Sequence, residues 1–130
     1  MQTNFKEKQG KRKDKNFTEE TKELFRNNFE CWQCGMNTWD CFHHCMGGDF
    51  DEADSPFNAV PLCNATCHID GGHHFSEKQI NTFLAMTMRY LYLKGYELTR
   101  KDKMFIIKFK KRYESTELGS EYLKYYRKRQ

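Results

Sequence analysis

Hydrophobic positions in this chain fall in short, separated groups. Residues 1–16 (MQTNFKEKQGKRKDKN) hold only Met1 and Phe5 as large apolar side chains, too few to offset the cost of ordering, and read as a disordered basic arm. Thr18 is placed as an N-cap, with Glu19 and Glu20 in the first turn where the helix dipole favours them. Leu24, Phe25 and Phe29 give that helix, over 18–29, a short apolar side. Cys31-Trp-Gln-Cys34-Gly35 then reads as a knuckle. Aromatic and small polar residues alternate over 38–43, predicting a short strand, and 47–55 (GGDFDEADS) is a turn-rich acidic loop.

A second helix starts at Ser76, which forms a capping-box pattern with Gln79. Ile80, Phe83, Leu84, Met88 and Leu91 recur on one helical face, and Gly95 supplies a C-cap. Over 104–110, Phe105, Ile107 and Phe109 alternate with Lys108 and Lys110, which predicts a strand with Ile106 as its one exception. A last short helix over 117–129 docks Leu118, Tyr122 and Tyr125 and turns Lys124, Arg127 and Lys128 outward. The mixture is of the α+β class. The chain divides into an arm (1–16), a core (17–95) and a basic C-terminal extension (96–130), with no internal repeat.

Composition makes that core thin. Leu, Ile, Val and Phe make up 24 of 130 residues, so the aromatic and sulfur side chains must carry much of the burial and a staple is expected. No stretch approaches 18 apolar residues, which excludes a spanning helix. No apolar run follows the charged N-terminus, so a secretory signal is not expected and the chain is placed in the cytoplasm. The net charge of +4 hides an asymmetry: net +4 over 1–16, net −7 over 17–99 and net +7 over 100–130. Basic ends point to a polyanion held at the flanks, and the acidic centre suits a cation.

Six cysteines in a reducing compartment read as metal ligands before disulfides. The pairs Cys31/Cys34 and Cys63/Cys67 can supply four thiolates to one tetrahedral structural Zn²⁺, with Cys41 or Cys45 as substitutes for one of the four. All five histidines fall within 32 residues, interleaved with the cysteines. His43 and His44 are adjacent at a strand end and point to opposite sides, so one can ligate a metal while the other faces a substrate. A second, open metal site follows as an expectation. Asp49, Asp51, Glu52 and Asp54 are read as a solvated loop, Asp40 as a candidate partner of a histidine, and Trp32 and Trp39 as packing around the knuckle.

The ordered combination Cys31-x-x-Cys34-Gly35, Asp40-Cys41-Phe42-His43-His44, Asn58-Ala-Val-Pro-Leu-Cys63 and Cys67-His68 resembles the HNH endonuclease motif in its zinc-stapled variant. The resemblance covers about residues 30–75. It implies a ββα-metal core and these roles: His43 as a ligand of a catalytic divalent metal, His44 as general base, Asn58 orienting the base and steadying the loop, and His68 as the second ligand. His73 is a further ligand or a replacement for His68. Two departures stand out. The second cysteine pair is spaced C-x3-C rather than C-x2-C, and no basic residue closely follows His68.

What the resemblance implies is a metal-dependent DNA endonuclease, similar to free-standing phage proteins acting in the host cytoplasm. It would act on double-stranded or branched DNA, as a monomer or homodimer. Imidazole ligands suit Mn²⁺, Ni²⁺, Co²⁺ or Zn²⁺ at least as well as Mg²⁺. Lys11, Arg12, Lys13, Lys108, Lys110, Lys111, Arg112, Lys124, Arg127 and Lys128 are the expected phosphate contacts. Tyr113, Tyr122, Tyr125 and Tyr126, interleaved with them, are candidates for stacking on bases. The alternatives are a non-catalytic zinc-binding nucleic-acid protein, which leaves the histidines and Asn58 without a task, and a thiol redox or metal buffer, which leaves the basic ends without one.

Overall fold

The computed structural model describes residues 16–26, 30–35, 39, 41–63 and 75–128. It is an α+β arrangement in which a two-stranded antiparallel sheet packs against helices. Helix α1 (Glu19–Leu24) begins at Thr18, whose hydroxyl accepts from Thr21 N at 3.2 Å. It is shorter than the sequence pattern predicted. Phe25 is its C-cap, and 27–29 lie outside the described residues. Strand β1 (Cys41–His44) pairs with β2 (Ala59–Leu62), with Cys41 opposite Leu62, Phe42 opposite Pro61, His43 opposite Val60 and His44 opposite Ala59. A single turn of 3₁₀ helix (Pro56–Asn58) delivers the chain into β2.

Pro61 fits in β2 because of the edge it faces. Its carbonyl accepts from Trp32 N at 2.9 Å, and a strand residue's N–H and C=O point to the same edge. The N–H that proline lacks would therefore point away from β1, and no ladder bond is lost.

Helix α2 (Glu77–Leu93) opens with the predicted capping box: Gln79 N donates to Ser76 Oγ, and Gln79 Oε1 accepts from Ser76 N. It closes on Gly95, whose φ of 78° lets Tyr96 N reach Leu91 O and its own N–H reach Tyr92 O, both at 3.0 Å. The apolar face expected of this helix is the one that packs: Phe83, Leu84, Met88 and Leu91 are buried, with Ile80 half-buried.

The segment 104–110 is a correction. It is helix, not strand: α3 (Arg100–Lys108) turns at Phe109 into α4 (Lys110–Glu114). Ile106, the exception to the strand pattern, is buried beside Phe105, while Ile107 is 62% exposed. Buried Asp102, Phe105 and Ile106 follow a helical period. The decisive local signal is Thr99-x-x-Asp102, a second reciprocal capping box. Helix α5 (Glu117–Lys128) follows, with its docking face turned by one position. Leu123 and Tyr126 are buried, while Leu118, Tyr122 and Tyr125 are half-buried.

A single cluster of buried side chains joins Cys31, Phe57, Leu62 and Cys63 of the knuckle and hairpin region to Leu84, Phe105, Tyr113 and Tyr126 of the helices. A smaller one, built on Phe17, Phe25 and Ala59, holds α1 against the outer face of the hairpin. No described helix is long and apolar enough to cross a membrane.

Candidate functional site

The knuckle is built from the backbone upward. Gly35 N donates to Cys31 O at 2.9 Å, closing a turn that Gly35 leaves with φ 68°. Between the two cysteines, Trp32 ties the turn to its surroundings. Its backbone N–H reaches Pro61 O, and its indole N–H donates to Thr87 Oγ1 at 3.0 Å. Thr87 in turn donates to Ala59 O at 2.8 Å, so knuckle, α2 and β2 form one bonded chain. Since Pro61 lies two residues before Cys63, this link carries Cys63 to the knuckle.

The ligand atoms of Cys31, Cys34 and Cys63 all lie within 4.8 Å of one another, and the Cys34 and Cys63 sulfurs are 4.0 Å apart. Four thiolates around one ion with ~2.3 Å bonds stand about 3.8 Å apart, so the group has the dimensions of three corners of such a site. Cys31 and Cys63 are buried and Cys34 is half-buried. Three thiols gathered so closely fit a metal ion. Cys67, the expected fourth ligand, lies outside the described residues.

The two substitute cysteines stand elsewhere. Cys41 Sγ donates to Leu62 O at 3.5 Å. Cys45 Sγ donates to Ile80 O at 3.4 Å and is packed in the core, where burial pushes the thiol up to about 12 against a smaller opposing pull from Arg112. Cys45 is held as a neutral thiol, the wrong state for a metal ligand.

At the hairpin, His43 and His44 point to opposite faces, as adjacent strand residues must. His43 lies edge-on to Phe75, with centroids 5.7 Å apart. His44 shares its face with Phe42 and stacks on Phe17, with centroids 4.3 Å apart and planes 14° apart. Asn58 is fully buried between the strands. Its Oδ1 accepts from Met46 N at 2.8 Å, and its Nδ2 donates to Gly47 O at 3.0 Å and Ala53 O at 2.9 Å. Both amide protons are thus directed at the loop that joins His44 to β2. These three bonds tie the loop to the start of β2, and His44 is in ring contact with Phe17.

Comparison of the chain with protein-family models, with curated proteins and with solved structures gives no match in any of the three.

The remaining expected residues divide by location. His68 and His73 lie outside the described residues, as do Asp40, Lys11, Arg12 and Lys13. Among the described residues, the three cysteines are the one group of three or more His, Cys, Asp or Glu side chains close enough to share an ion. The acidic loop is only partly solvated. Glu52 pairs with Lys108 at 2.7 Å and Asp54 with Lys101 at 2.9 Å, which holds the loop against α3.

Arg112 bridges α4 to α2 through Glu77 and Asn81, both at 3.2 Å, and Lys110 pairs loosely with Glu114. Lys111 and Lys124 are exposed, and Arg127 and Lys128 lie in the last turn of α5. Tyr113 and Tyr126 are buried, which removes them from any stacking on bases. Tyr122 and Tyr125 pack around Tyr92. Trp32 and Trp39 pack as expected, against Tyr90 and Phe42 respectively. Phe17 and Asp102 were not singled out by the sequence reading. Each acts through a partner remote in sequence, and only Asp102 carried a local signal, its spacing from Thr99.

Proposed function

We propose that the chain is a metal-dependent endonuclease of the HNH type that hydrolyses DNA phosphodiester bonds. The observation that supports this most is the hairpin itself. Strand β1 carries His43 and His44 on opposite faces, Asn58 clamps the loop between the strands, and the three-cysteine group lies just beyond the end of β2. That is the order and pairing the motif resemblance calls for, with Zn²⁺ as the ion held by Cys31, Cys34, Cys63 and Cys67.

In this reading His44 accepts a proton from a water molecule as the water oxygen attacks phosphorus. The bond from phosphorus to the leaving oxygen then breaks, and that oxygen is reprotonated from solvent. His43 and His68 would hold the catalytic divalent cation, which when bound relieves charge on the phosphate and the leaving oxygen. Asn58 keeps the loop after His44 in one conformation, so the base does not have to be ordered at each turnover. Exposed Lys111 and Lys124, with the basic arm, would neutralise flanking phosphates.

The second reading, a non-catalytic zinc protein that binds nucleic acid, draws on the three-cysteine group alone, which a structural ion explains without any use of the histidines. Supercoiled plasmid incubated with the full chain in Mg²⁺, Mn²⁺, Ni²⁺, Co²⁺ or EDTA separates the two. Metal-dependent nicking, absent in EDTA, is the expected result. Binding without cleavage under every metal would replace the nuclease by the binding protein.

A further inference from the structure

We infer that Phe17 is a positioning residue for the His44 imidazole, and that α1 is the brace that puts it there. The inference rests on the reading of His44 as the general base. Phe17 occupies the position just before the N-cap Thr18, where an apolar side chain commonly packs on its own helix four residues beyond the cap. Here that position is Lys22, exposed and paired with Glu19, so the usual apolar partner of such a side chain is missing at that position. Its ring turns to the hairpin instead. It is 8% exposed, edge-on to Phe42 at 5.6 Å and face to face with His44 at 4.3 Å.

The helix that delivers this ring is itself pinned. Tyr90 OH donates to Leu24 O at 2.7 Å, and Phe25 stacks on Tyr90 at 4.9 Å while lying edge-on to Phe42 at 5.3 Å. A chain of aromatic contacts therefore runs from Tyr90 of α2 through Phe25, Phe42 of β1 and Phe17 to the imidazole.

The chemistry follows from the stacking geometry. An imidazole accepts a proton through a nitrogen lone pair in the plane of its ring. A phenyl ring lying nearly parallel restricts rotation about both side-chain torsions, yet makes no hydrogen bond to either nitrogen. Phe17 thus fixes the plane in which proton transfer occurs without competing for the proton, the kind of support that lets a catalytic group act in one orientation.

The test compares wild type, Phe17→Leu, Phe17→Tyr and His44→Ala, each as the full metal-loaded chain, by steady-state nicking of supercoiled plasmid. Phe17→Leu is expected to lower kcat about tenfold with KM within about twofold, and Phe17→Tyr, which keeps the ring, to return kcat to within about threefold of wild type. In the wild type the His44 ring protons are expected to resonate upfield through the Phe17 ring current. That shift disappears in Phe17→Leu while the absorption of Co²⁺ substituted at the cysteines stays the same. Wild-type kcat in Phe17→Leu beside an inactive His44→Ala would overturn the inference, and a raised kcat would make Phe17 a cover instead of a brace. Absence of the upfield shift in wild type overturns it without any variant, so the test survives a Phe17→Leu chain that does not fold. Wild-type cleavage by His44→Ala, with the upfield shift present, would overturn the reading of His44 itself.

Discussion

At the scale of single residues, the most constrained polar side chain in the hairpin is Asn58. Its three hydrogen bonds close the loop from Met46 to Ala53, and all three are shielded from water to a large degree. Truncation would leave a buried N–H and two carbonyls without partners, so Asn58→Ala is expected to cost about 3 kcal/mol, read by urea denaturation. Asn58→Asp replaces the two donors by a carboxylate aimed at carbonyl oxygens and should be no better tolerated.

Cys45 makes a pH prediction. Its folded thiol titrates near 12 and the ordinary value is 9.0, so above pH 9 the unfolded chain ionises while the folded one does not. The unfolded state then binds fewer protons, and stability falls with rising pH by about 1.4 kcal/mol per unit until the folded thiol also titrates. Burial pushes the Tyr113 hydroxyl up in the same sense, adding to the loss above pH 10. Cys45→Ala should flatten the alkaline limb of a melting-temperature profile between pH 9 and 11. The sequence could pair Cys31 with Cys34 because two-residue spacing is a local property. It could not separate Cys41 and Cys45 from the ligands, because their exclusion depends on Ile80 and Leu62, which supply the carbonyls they face.

Among the elements, α3 shows how a hydrophobic alternation can mislead. Phe105, Ile107 and Phe109 alternate, but the chain reads Ile106 and Phe105 together as one helical face. What fixes the helix is Asp102, 1% exposed. It accepts from Thr99 N at 2.9 Å, from Ser55 Oγ at 2.7 Å and from Tyr96 OH at 2.6 Å. One carboxylate thus caps α3, anchors the turn before β2 and holds Tyr96, the residue after the left-handed Gly95 that ends α2. The Thr99/Asp102 spacing was legible, but the convergence of Ser55 and Tyr96 was not, since neither lies within the helix it serves. Asp102→Ala is expected to destabilise by roughly 3 kcal/mol, well beyond the ~1 kcal/mol of an ordinary cap, and Thr99→Ala by about 1 kcal/mol, both read from thermal melts. Helices α1 and α2 were legible from their caps, because Thr18 and the Ser76/Gln79 box act within one turn of themselves.

Across the whole molecule, the opposition between an acidic centre and a basic C-terminal region folds back on itself. Lys101 meets Asp54, Lys108 meets Glu52 and Arg112 meets Glu77. These pairs are partly exposed and individually weak, yet they occupy cations that charge counting assigned to phosphate. The thin core foretold a staple, and the three gathered cysteines supply the place for one. Removing metal with a strong chelator is expected to lower the melting temperature by more than roughly 10 °C, with Cys34→Ser showing the same loss without chelator. An unchanged melt in both would mean that the thiols pack without an ion.

The claim that joins these scales is that the hairpin carries a water-activating histidine. Plasmid nicking in Mn²⁺ or Ni²⁺ by wild type and His44→Ala, with equal metal content at the cysteines in both, tests it most directly. The account predicts nicking by wild type and a loss of at least about a hundredfold in the variant, the scale of a missing general base. Equal nicking by the two chains, or none by either, would contradict it.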